Sequence, residues 1–263
     1  MRGDFCYISQ VRQILEGNNM QGNVHSIETF GTVDGPGIRF VIFMQGCELR
    51  CAYCHNPDTW ICGKGTDWST DDMLKEIVKY KRYIQGVTVS GGEPLLQIDF
   101  VTELFAKVKA EGLDTCIDTS GVIFDRNNPE IVEKINSLLD VCDLVMLDIK
   151  HIREDEHIEL TGKTNANILD FAKYLSEKNK EMWLRYVLVP TINDREEIIR
   201  EWKAFADTLN TVKKIEVLPY HRLALEKYKN LGIDYRLKDI PEPTKEQVEC
   251  ADKILNNKGE RQC

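Results

Sequence analysis

From Val24 onward the chain repeats one pattern: a short run of β-branched and aromatic residues, a glycine-rich or polar break, then a stretch whose apolar residues recur every three or four positions. The short runs lie at 39–45, 86–89, 114–117, 143–147, 182–189 and 214–218, and they predict six strands. The intervening stretches predict helices. Ser69, with Asp72 three residues on, is a weaker form of the capping box, and Leu74, Ile77, Val78 and Lys81 then share a face. Val101, Leu104, Phe105 and Val108 make a second face, which ends near Gly112, a residue suited to a helix C-terminus. Further faces are Ile131, Ile135, Leu138 and Leu139; Ile168, Phe171, Ala172 and Leu175; and Ile198, Trp202, Phe205 and Leu209. A last helix is expected over about 245–256.

Strands that alternate with helices imply a parallel sheet joined by right-handed crossovers. Six units fall short of the eight that close a barrel, so the expected fold is α/β, a partial (β/α)6 barrel of parallel strands, with a doubly wound sheet as the alternative. Either architecture places a ligand at the carboxyl ends of the strands. The chemically unusual residues follow that rule. Cys47, Cys51 and Cys54 come after the first run, Ser90, Gly91, Gly92, Glu93 and Pro94 after the second, and Asp118, Thr119, Ser120 and Gly121 after the third. Asp148, Ile149 and Lys150 follow the fourth, Pro190 and Thr191 the fifth, and Pro219, Tyr220 and His221 the sixth. Residues 1–21 read as an N-terminal extension in which Val11, Ile14 and Leu15 share an apolar helix face, and residues 22–263 read as a single domain.

Composition narrows the partners. The 263 residues carry 34 Lys and Arg against 43 Asp and Glu, a formal charge of −9, with 42% hydrophobic and 29% charged residues. That balance supplies a core and argues against phosphate backbones and anionic lipid, so no nucleic acid and no membrane partner is expected. The N-terminus lacks the apolar segment of a signal peptide, and no apolar run is long enough to span a bilayer. Nine cysteines, an odd number spread along a mid-sized chain, fit a disulfide framework poorly. The expectation is a cytoplasmic protein with reduced thiols, where clustered cysteines tend to bind metal.

Cys47, Cys51 and Cys54 have the spacing C-x3-C-x2-C, three thiolates that a tight loop can aim at one centre. Structural zinc wants four closed ligands, usually in two separated pairs. The pairs are missing here, and His55 adjoins Cys54 too closely to share a tetrahedral ion with it. A [4Fe–4S] cubane takes one thiolate per iron, so three thiolates leave one iron open as a coordination site for substrate or cofactor. The remaining cysteines need no ligand: Cys116 and Cys142 lie in or beside strand runs as small hydrophobes, and Cys6, Cys62, Cys250 and Cys263 are isolated. Asp148 and Lys150, two apart in a strand, point to one face and can reach a zwitterionic ligand together or form a surface ion pair. Asp34, Gly35, Pro36 and Gly37 compose a tight turn ahead of the first run.

The cysteine loop, with an aromatic before its last cysteine and Gly91, Gly92, Glu93 and Pro94 after the next strand, resembles the radical S-adenosylmethionine (SAM) enzymes. The stretch from Gly31 through Asp34, Gly35, Pro36 and Gly37 to Arg39, together with Cys54, His55, Asn56 and Pro57, is similar to the glycyl-radical-enzyme activases over roughly residues 22–260. That resemblance implies a single radical SAM domain over 22–263, with a [4Fe–4S] cluster on Cys47, Cys51 and Cys54 whose open iron chelates SAM. It implies SAM contacts from Tyr53, Cys54, His55, Gly91, Gly92, Glu93, Asp148, Ile149, Lys150 and His221. It also implies a monovalent cation, Na+ or K+, among Asp118, Asp148 and the backbone carbonyls of Thr119 and Met146. Asp34, Gly35, Pro36 and Gly37 would meet the protein substrate. The implied reaction is reductive cleavage of SAM to a 5′-deoxyadenosyl radical that abstracts a glycine α-hydrogen, with no catalytic side chain beyond the cluster and cofactor.

The implied partners are a glycyl radical enzyme, pyruvate formate-lyase in the type this chain resembles most, and reduced flavodoxin or ferredoxin as electron donor. A monomer is expected, with Lys79, Lys81 and Arg82 as a basic patch for an acidic donor. Many activases of other glycyl radical enzymes carry a second cysteine-rich module after the first cluster loop. Only Cys62 lies between Cys54 and Gly91 here, which favours the pyruvate formate-lyase type. An activase of another glycyl radical enzyme is the alternative within the class. Outside it stand a non-catalytic iron–sulfur electron-transfer protein and a zinc-stabilised module.

Overall fold

The computed structural model describes residues 19–256. The helix face expected from Val11, Ile14 and Leu15 lies outside the described residues, as do Cys6 and Cys263. In chain order the elements are β1 (Gln21–Gly31), β2 (Arg39–Met44), β3 (Thr66–Ser69), α1 (Thr70–Val78), β4 (Gly86–Gly91), α2 (Ile98–Ala110), β5 (Asp114–Thr119) and α3 (Pro129–Val141). They continue with β6 (Leu144–Asp148), α4 (Glu154–Thr161), α5 (Ala166–Glu177), β7 (Met182–Leu188), α6 (Glu196–Ala206), β8 (Val212–Pro219), α7 (Leu225–Leu231) and α8 (Lys245–Asn256). The strands are hydrogen-bonded in the order β3-β1-β2-β4-β5-β6-β7-β8, an open sheet. All six expected strands are present, and β1 and β3 are additions. The residues gather into two compact units. Among the described residues, one holds 19–47, Ile61–Thr119 and Ile123–Met146; the other holds Glu48–Trp60, Ser120–Val122 and 147–256.

In the first unit, β2 pairs parallel to β4, with Arg39 opposite Gly86 and Met44 opposite Gly91, and β4 pairs parallel to β5. β1 runs antiparallel to both β2 and β3. The hydrophobic alternation misses β1 for a physical reason: irregularities between Val24 and Ser26 and between Glu28 and Gly31 break the period of two. β3 is only four residues long. Ser69 caps α1 as expected, its Oγ accepting from the Asp72 backbone N–H at 3.1 Å and donating to the Asp72 carboxylate at 2.8 Å. The buried side of α1 is Thr70, Met73 and Ile77, however, not the expected Leu74, Val78 and Lys81. The helix stops at Val78, which is exposed. Val101, Leu104, Phe105 and Val108 are buried on α2 as expected, and Gly112 follows it with a φ of +76°.

In the second unit, β7 and β8 pair in parallel, Met182 opposite Val212 and Leu188 opposite Pro219. Trp202 on α6 is fully buried: its indole N–H donates to the Ile149 carbonyl at 3.1 Å, and its ring stands edge-on to Tyr186. Large aromatic rings of this kind dominate core energetics when their polar handle is satisfied. The helix α4, unannounced by any apolar period, ends on Gly162 in the left-handed region at φ +81°, where the Gly162 N–H donates to the Ile158 carbonyl. Cys250 on α8 is disulfide-bonded, which corrects the expectation that it is an isolated reduced thiol; the other six described cysteines are not in disulfides.

Arg39 shows how tightly the first unit is specified. Its guanidinium is fully buried at the start of β2, donating to Thr88 Oγ1 at 3.0 Å, to the Val87 carbonyl at 2.8 Å and to the Pro36 carbonyl at 3.3 Å, and it pairs with Asp114. One side chain thus ties the 34–37 turn to β4 and β5. Removing one partner of a buried, hydrogen-bonded charge strands the others. Arg39→Met is expected to lower the free energy of unfolding by about 3 kcal/mol. Urea unfolding followed by circular dichroism checks this, and a midpoint unchanged from that of the parent chain would show that the guanidinium is dispensable.

Candidate functional site

The second unit carries most of the cofactor candidates. After β2 the chain enters the 48–60 loop, whose backbone polar groups are held by the end of α4. The Arg50 N–H donates to the Thr161 carbonyl at 2.7 Å and the Ala52 N–H to the Leu160 carbonyl at 2.9 Å. From the far end of the sequence the Arg236 guanidinium donates to the carbonyls of Arg50 (2.6 Å), Leu160 (2.8 Å) and Glu159 (2.9 Å). Helix ends expose such unpaired carbonyls and favour a nearby cation. A turn closed by Cys54 N–H to the Cys51 carbonyl at 3.1 Å then sets the two thiols, Cys51 buried and Cys54 half-buried. Burial pushes the Cys51 thiol up to about 12, with Lys150 pulling the other way. Cys54 is likewise raised, first by burial and against hydrogen bonds from the Asn56 backbone and the Trp60 side chain.

Around these thiols lie an ion pair and a set of rings. Lys150 Nζ donates to Asp148 Oδ2 at 2.6 Å, with both side chains largely buried. Burial pulls the Asp148 carboxyl up, but Lys150 and Arg185 outweigh it and hold it below the ordinary carboxylate value. For Lys150 burial acts first and downward, yet Asp148, Tyr53 and Cys51 raise the ammonium well above its usual value. The ammonium stands 5.9 Å from the centre of the Tyr53 ring. His55 and His221 stack face to face, centroids 3.8 Å apart and planes 17° from parallel. Burial, and then His221, lower His55 to about 4. The Tyr53 hydroxyl, His55 Nε2 and His221 Nδ1 are buried without a hydrogen-bond partner. Buried polar atoms cost free energy when unpaired; three of them beside an ion pair and two thiols fit a ligand that is part charged and part aromatic. Ile149 is different: its side chain is buried and its carbonyl serves Trp202, so only its backbone faces this chemistry.

The first unit carries the rest. Cys47 is half-buried after the turn at Gly46. Gly91 and Gly92 are required by close backbone approach: a Cβ on Gly91 would sit 2.1 Å from the Met44 nitrogen, and one on Gly92 2.1 Å from the Gly46 carbonyl oxygen. The Gly92 and Glu93 N–H groups donate to the carbonyls of Met44 and Gly46, at 2.9 and 2.8 Å. Glu93 is fully buried, capping a turn through the Leu95 N–H and accepting from Thr119 Oγ1. Asp118 accepts from Ser90 Oγ at 2.7 Å, and Met146 is buried on β6. Asp34, Gly35, Pro36 and Gly37 stand ahead of β2, folded toward the middle of β4 by Thr88 Oγ1 donating to the Asp34 carbonyl at 2.6 Å. Lys79 and Lys81 of the expected basic patch pair with Glu76 and Glu111.

Among the described residues, no three His, Cys, Asp or Glu side chains are arranged to hold a metal ion. Zinc would need such convergence, whereas a cubane does not, because each thiolate takes a different iron. Sequence reasoning missed Arg236, Trp60 and His157. Arg236 bonds to a carbonyl 186 residues away, so no local pattern announces it. His157 is buried on α4 with Nδ1 2.7 Å from the Lys163 carbonyl, which puts the proton on Nδ1.

Residues 41–202 match the Radical SAM superfamily. Over 238 residues the chain is 52% identical to a pyruvate formate-lyase-activating enzyme of Listeria monocytogenes, covering 89% of this chain and 96% of that protein. A protein of the same name from Staphylococcus epidermidis is 48% identical over 246 residues, covering 91% and 97%. A crystal structure of a domain of pyruvate-formate lyase-activating enzyme from Bacteroides vulgatus shares the fold at a TM-score of 0.53 and 22% identity, covering 65% of this chain and 92% of that one. Streptococcus suis SuiB bound to S-adenosylmethionine does so at 0.54 and 19%, covering 67% and 39%.

Two outcomes test this geometry. Lys150→Met leaves the Asp148 carboxylate buried without its partner and is expected to cost about 3–5 kcal/mol, of which Asp148→Asn in the same chain restores a large part. Equal urea stabilities for single and double variants would contradict the buried pair. Burial holds His157 below its ordinary 6.5, with the Lys163 carbonyl opposing and Lys150 adding to it. The unfolded chain therefore binds the proton more readily, so this contribution is whole above the ordinary value and is lost as pH falls below it. Stability measured between pH 6.5 and about 5 should fall less steeply in His157→Asn than in the parent; parallel curves would rule His157 out.

Proposed function

The chain belongs to the radical SAM superfamily, and we propose that it is the activase of pyruvate formate-lyase, installing a glycyl radical on that enzyme. Identity near one half over almost the whole length of proteins that bear that name supports the reading. The observation that carries it in the molecule is the pair of buried thiols, Cys51 and Cys54, beside the Asp148 and Lys150 pair and the stacked imidazoles with their unpartnered nitrogens.

When bound, the cluster and SAM supply the electron transfer and C–S cleavage that yield the 5′-deoxyadenosyl radical, which takes an α-hydrogen from a glycine of the protein substrate. We assign Cys47, Cys51 and Cys54 to three of the irons. Asp148 and Lys150 present opposite charges to the zwitterionic methionine part, and the backbone at Gly91, Gly92 and Glu93 serves its ammonium. Tyr53, His55 and His221 take the adenine side, their buried N and O atoms gaining the partners they lack in the free chain. Burial of this group excludes water, which a radical requires. Asp118, Asp148 and the carbonyls of Thr119 and Met146 offer the oxygen ligands that suit Na+ or K+. Asp34, Gly35, Pro36 and Gly37 meet the protein substrate.

A one-electron reductant is part of the reaction; reduced flavodoxin or ferredoxin fits that role. Because the chain passes repeatedly between its two compact units, residues 22–263 are read as one radical SAM domain following the 1–21 extension, acting as a monomer in the cytoplasm. Among the described residues no helix is long and apolar enough to cross a membrane.

The test is anaerobic reconstitution with iron and sulfide, followed by reductant, SAM and pyruvate formate-lyase. A glycyl-radical doublet in the electron paramagnetic resonance spectrum of the partner is expected, and Cys51→Ala should abolish it. A fully loaded cluster that yields no radical on that partner would overturn the assignment.

A further inference from the structure

Residues 221–238, which include α7, pack on the cysteine loop and differ in charge from the rest of the chain. They meet the loop on both sides of Cys51 and Cys54. Arg236 donates to the Arg50 carbonyl at 2.6 Å, one residue before Cys51. His221 stacks on His55, one residue after Cys54, and Lys227 Nζ donates to Asn56 Oδ1 at 2.8 Å. The buried side of α7 is aromatic, with Tyr228 edge-on to Trp60 at 6.0 Å between centroids and to Tyr235 at 4.7 Å. The outward side is cationic. The whole chain has a formal charge of −9, yet residues 221–238 carry five Lys and Arg against two Asp and Glu. Arg236 donates to three neutral carbonyls, which do not cancel its charge, and it is exposed, as are Arg50 and Lys229. Lys227 and Lys238 lie 3.4 and 3.9 Å from carboxylate oxygens of Asp58 and Asp234. Leu223, just ahead of α7, is 82% exposed, and Leu231, its last residue, 45%. A lone exposed leucine is ordinary; two of them on a segment with this excess of cations give the apolar contact and charged rim of a protein interface.

We propose that the outward face of α7 and its flanks, with Leu223, Lys227, Lys229 and Arg236 and with Arg50 bound to it, is the docking surface for the electron donor, a small acidic one-electron carrier of the flavodoxin kind. The inference rests on the assignment of Cys51 and Cys54 as cluster ligands. One electron leaves the donor, which is oxidised by one equivalent, and reduces the oxidised cluster; no bond breaks and no proton moves. Tunnelling weakens steeply with distance, so the donor must sit against the chain that carries the thiols, and this segment touches that chain just before and just after them. An acidic donor is repelled by an overall charge of −9. A local excess of cations supplies the attraction that the overall charge denies, and it orients the partner. The patch expected at Lys79, Lys81 and Arg82 suits an acidic donor less well, because Lys79 and Lys81 pair with Glu76 and Glu111.

The test uses the full chain with a reconstituted cluster and two reductants, dithionite as a small one and reduced flavodoxin as an acidic protein. Leu223→Ser combined with Lys229→Glu should slow reduction by flavodoxin roughly tenfold while leaving the dithionite rate close to the parent's. Rising salt should slow the parent's reduction by flavodoxin and affect the double variant less. Lys79→Glu shifts the total charge as much as Lys229→Glu and should keep the parent's flavodoxin rate. An unchanged flavodoxin rate in the double variant overturns the proposal, and so does an equal loss in Lys79→Glu, which would trace the effect to overall charge. If the double variant holds no cluster, the parent decides: hydrogen exchange with and without flavodoxin should show protection over 221–238, and protection confined to other segments rejects the surface. A parent chain that assembles no cluster at all would instead overturn the functional reading, and the docking proposal with it.

Discussion

The end of α4 is the constraint on which the site depends. An irregular loop that gathers side chains such as Cys51 and Cys54 cannot satisfy its own backbone as a regular ladder does. Here the unpaired carbonyls at the end of a helix accept the loop's N–H groups from Arg50 and Ala52, and Arg236 bridges the loop and helix carbonyls that remain. Each bond is worth about 1 kcal/mol net, but leaving the same groups buried and unpaired would cost more. Gly162, in the left-handed conformation, ends the helix where those carbonyls are needed.

The ionisable groups beside these thiols follow the same economy. Asp148 and Lys150 keep their charges inside the protein because each is the other's partner; burial opposes both ionised forms and is outweighed in both. At His55 and Cys51 the opposing contacts are outweighed by burial, which favours the neutral imidazole and the protonated thiol. Metal binding reverses that for a thiol, since a coordinating cation deprotonates it outright. A metal centre at Cys51 and Cys54, as proposed above, would have to displace protons from thiols that burial keeps protonated.

How much of this was legible in the sequence follows from which interactions are local. The six strands that lead into the chemistry read directly, because buried parallel strands are continuous apolar runs. Ser69 and its helix start read from two residues, whereas the helix's buried face was misjudged because the helix ends at Val78, before the expected face is complete. β1 was hidden by the irregularities that break its alternation, and α4 by its nearly all-polar composition; it is held by what it caps rather than by an apolar stripe. Cys47, Cys51 and Cys54 stand out from spacing alone as a candidate set of ligands. Arg236 and the stacking of His55 on His221 do not, since each depends on residues brought together across long stretches of chain. The glycines at 91 and 92 were noticed for the right reason, close approach, but the atoms that approach include the protein's own backbone at Met44 and Gly46.

The two strands at the ends of the sheet order have a consequence for the molecule's behaviour in crowded solution. β3 is four residues long and exposes Thr66 and Asp67; β8 carries Lys213, Lys214 and Glu216 and finishes on Pro219. Short length, charge and proline are the features that keep unpaired strand edges from recruiting another chain. An open sheet is a standing invitation to edge-to-edge growth, and this protein declines it at both ends without having to close the sheet into a barrel.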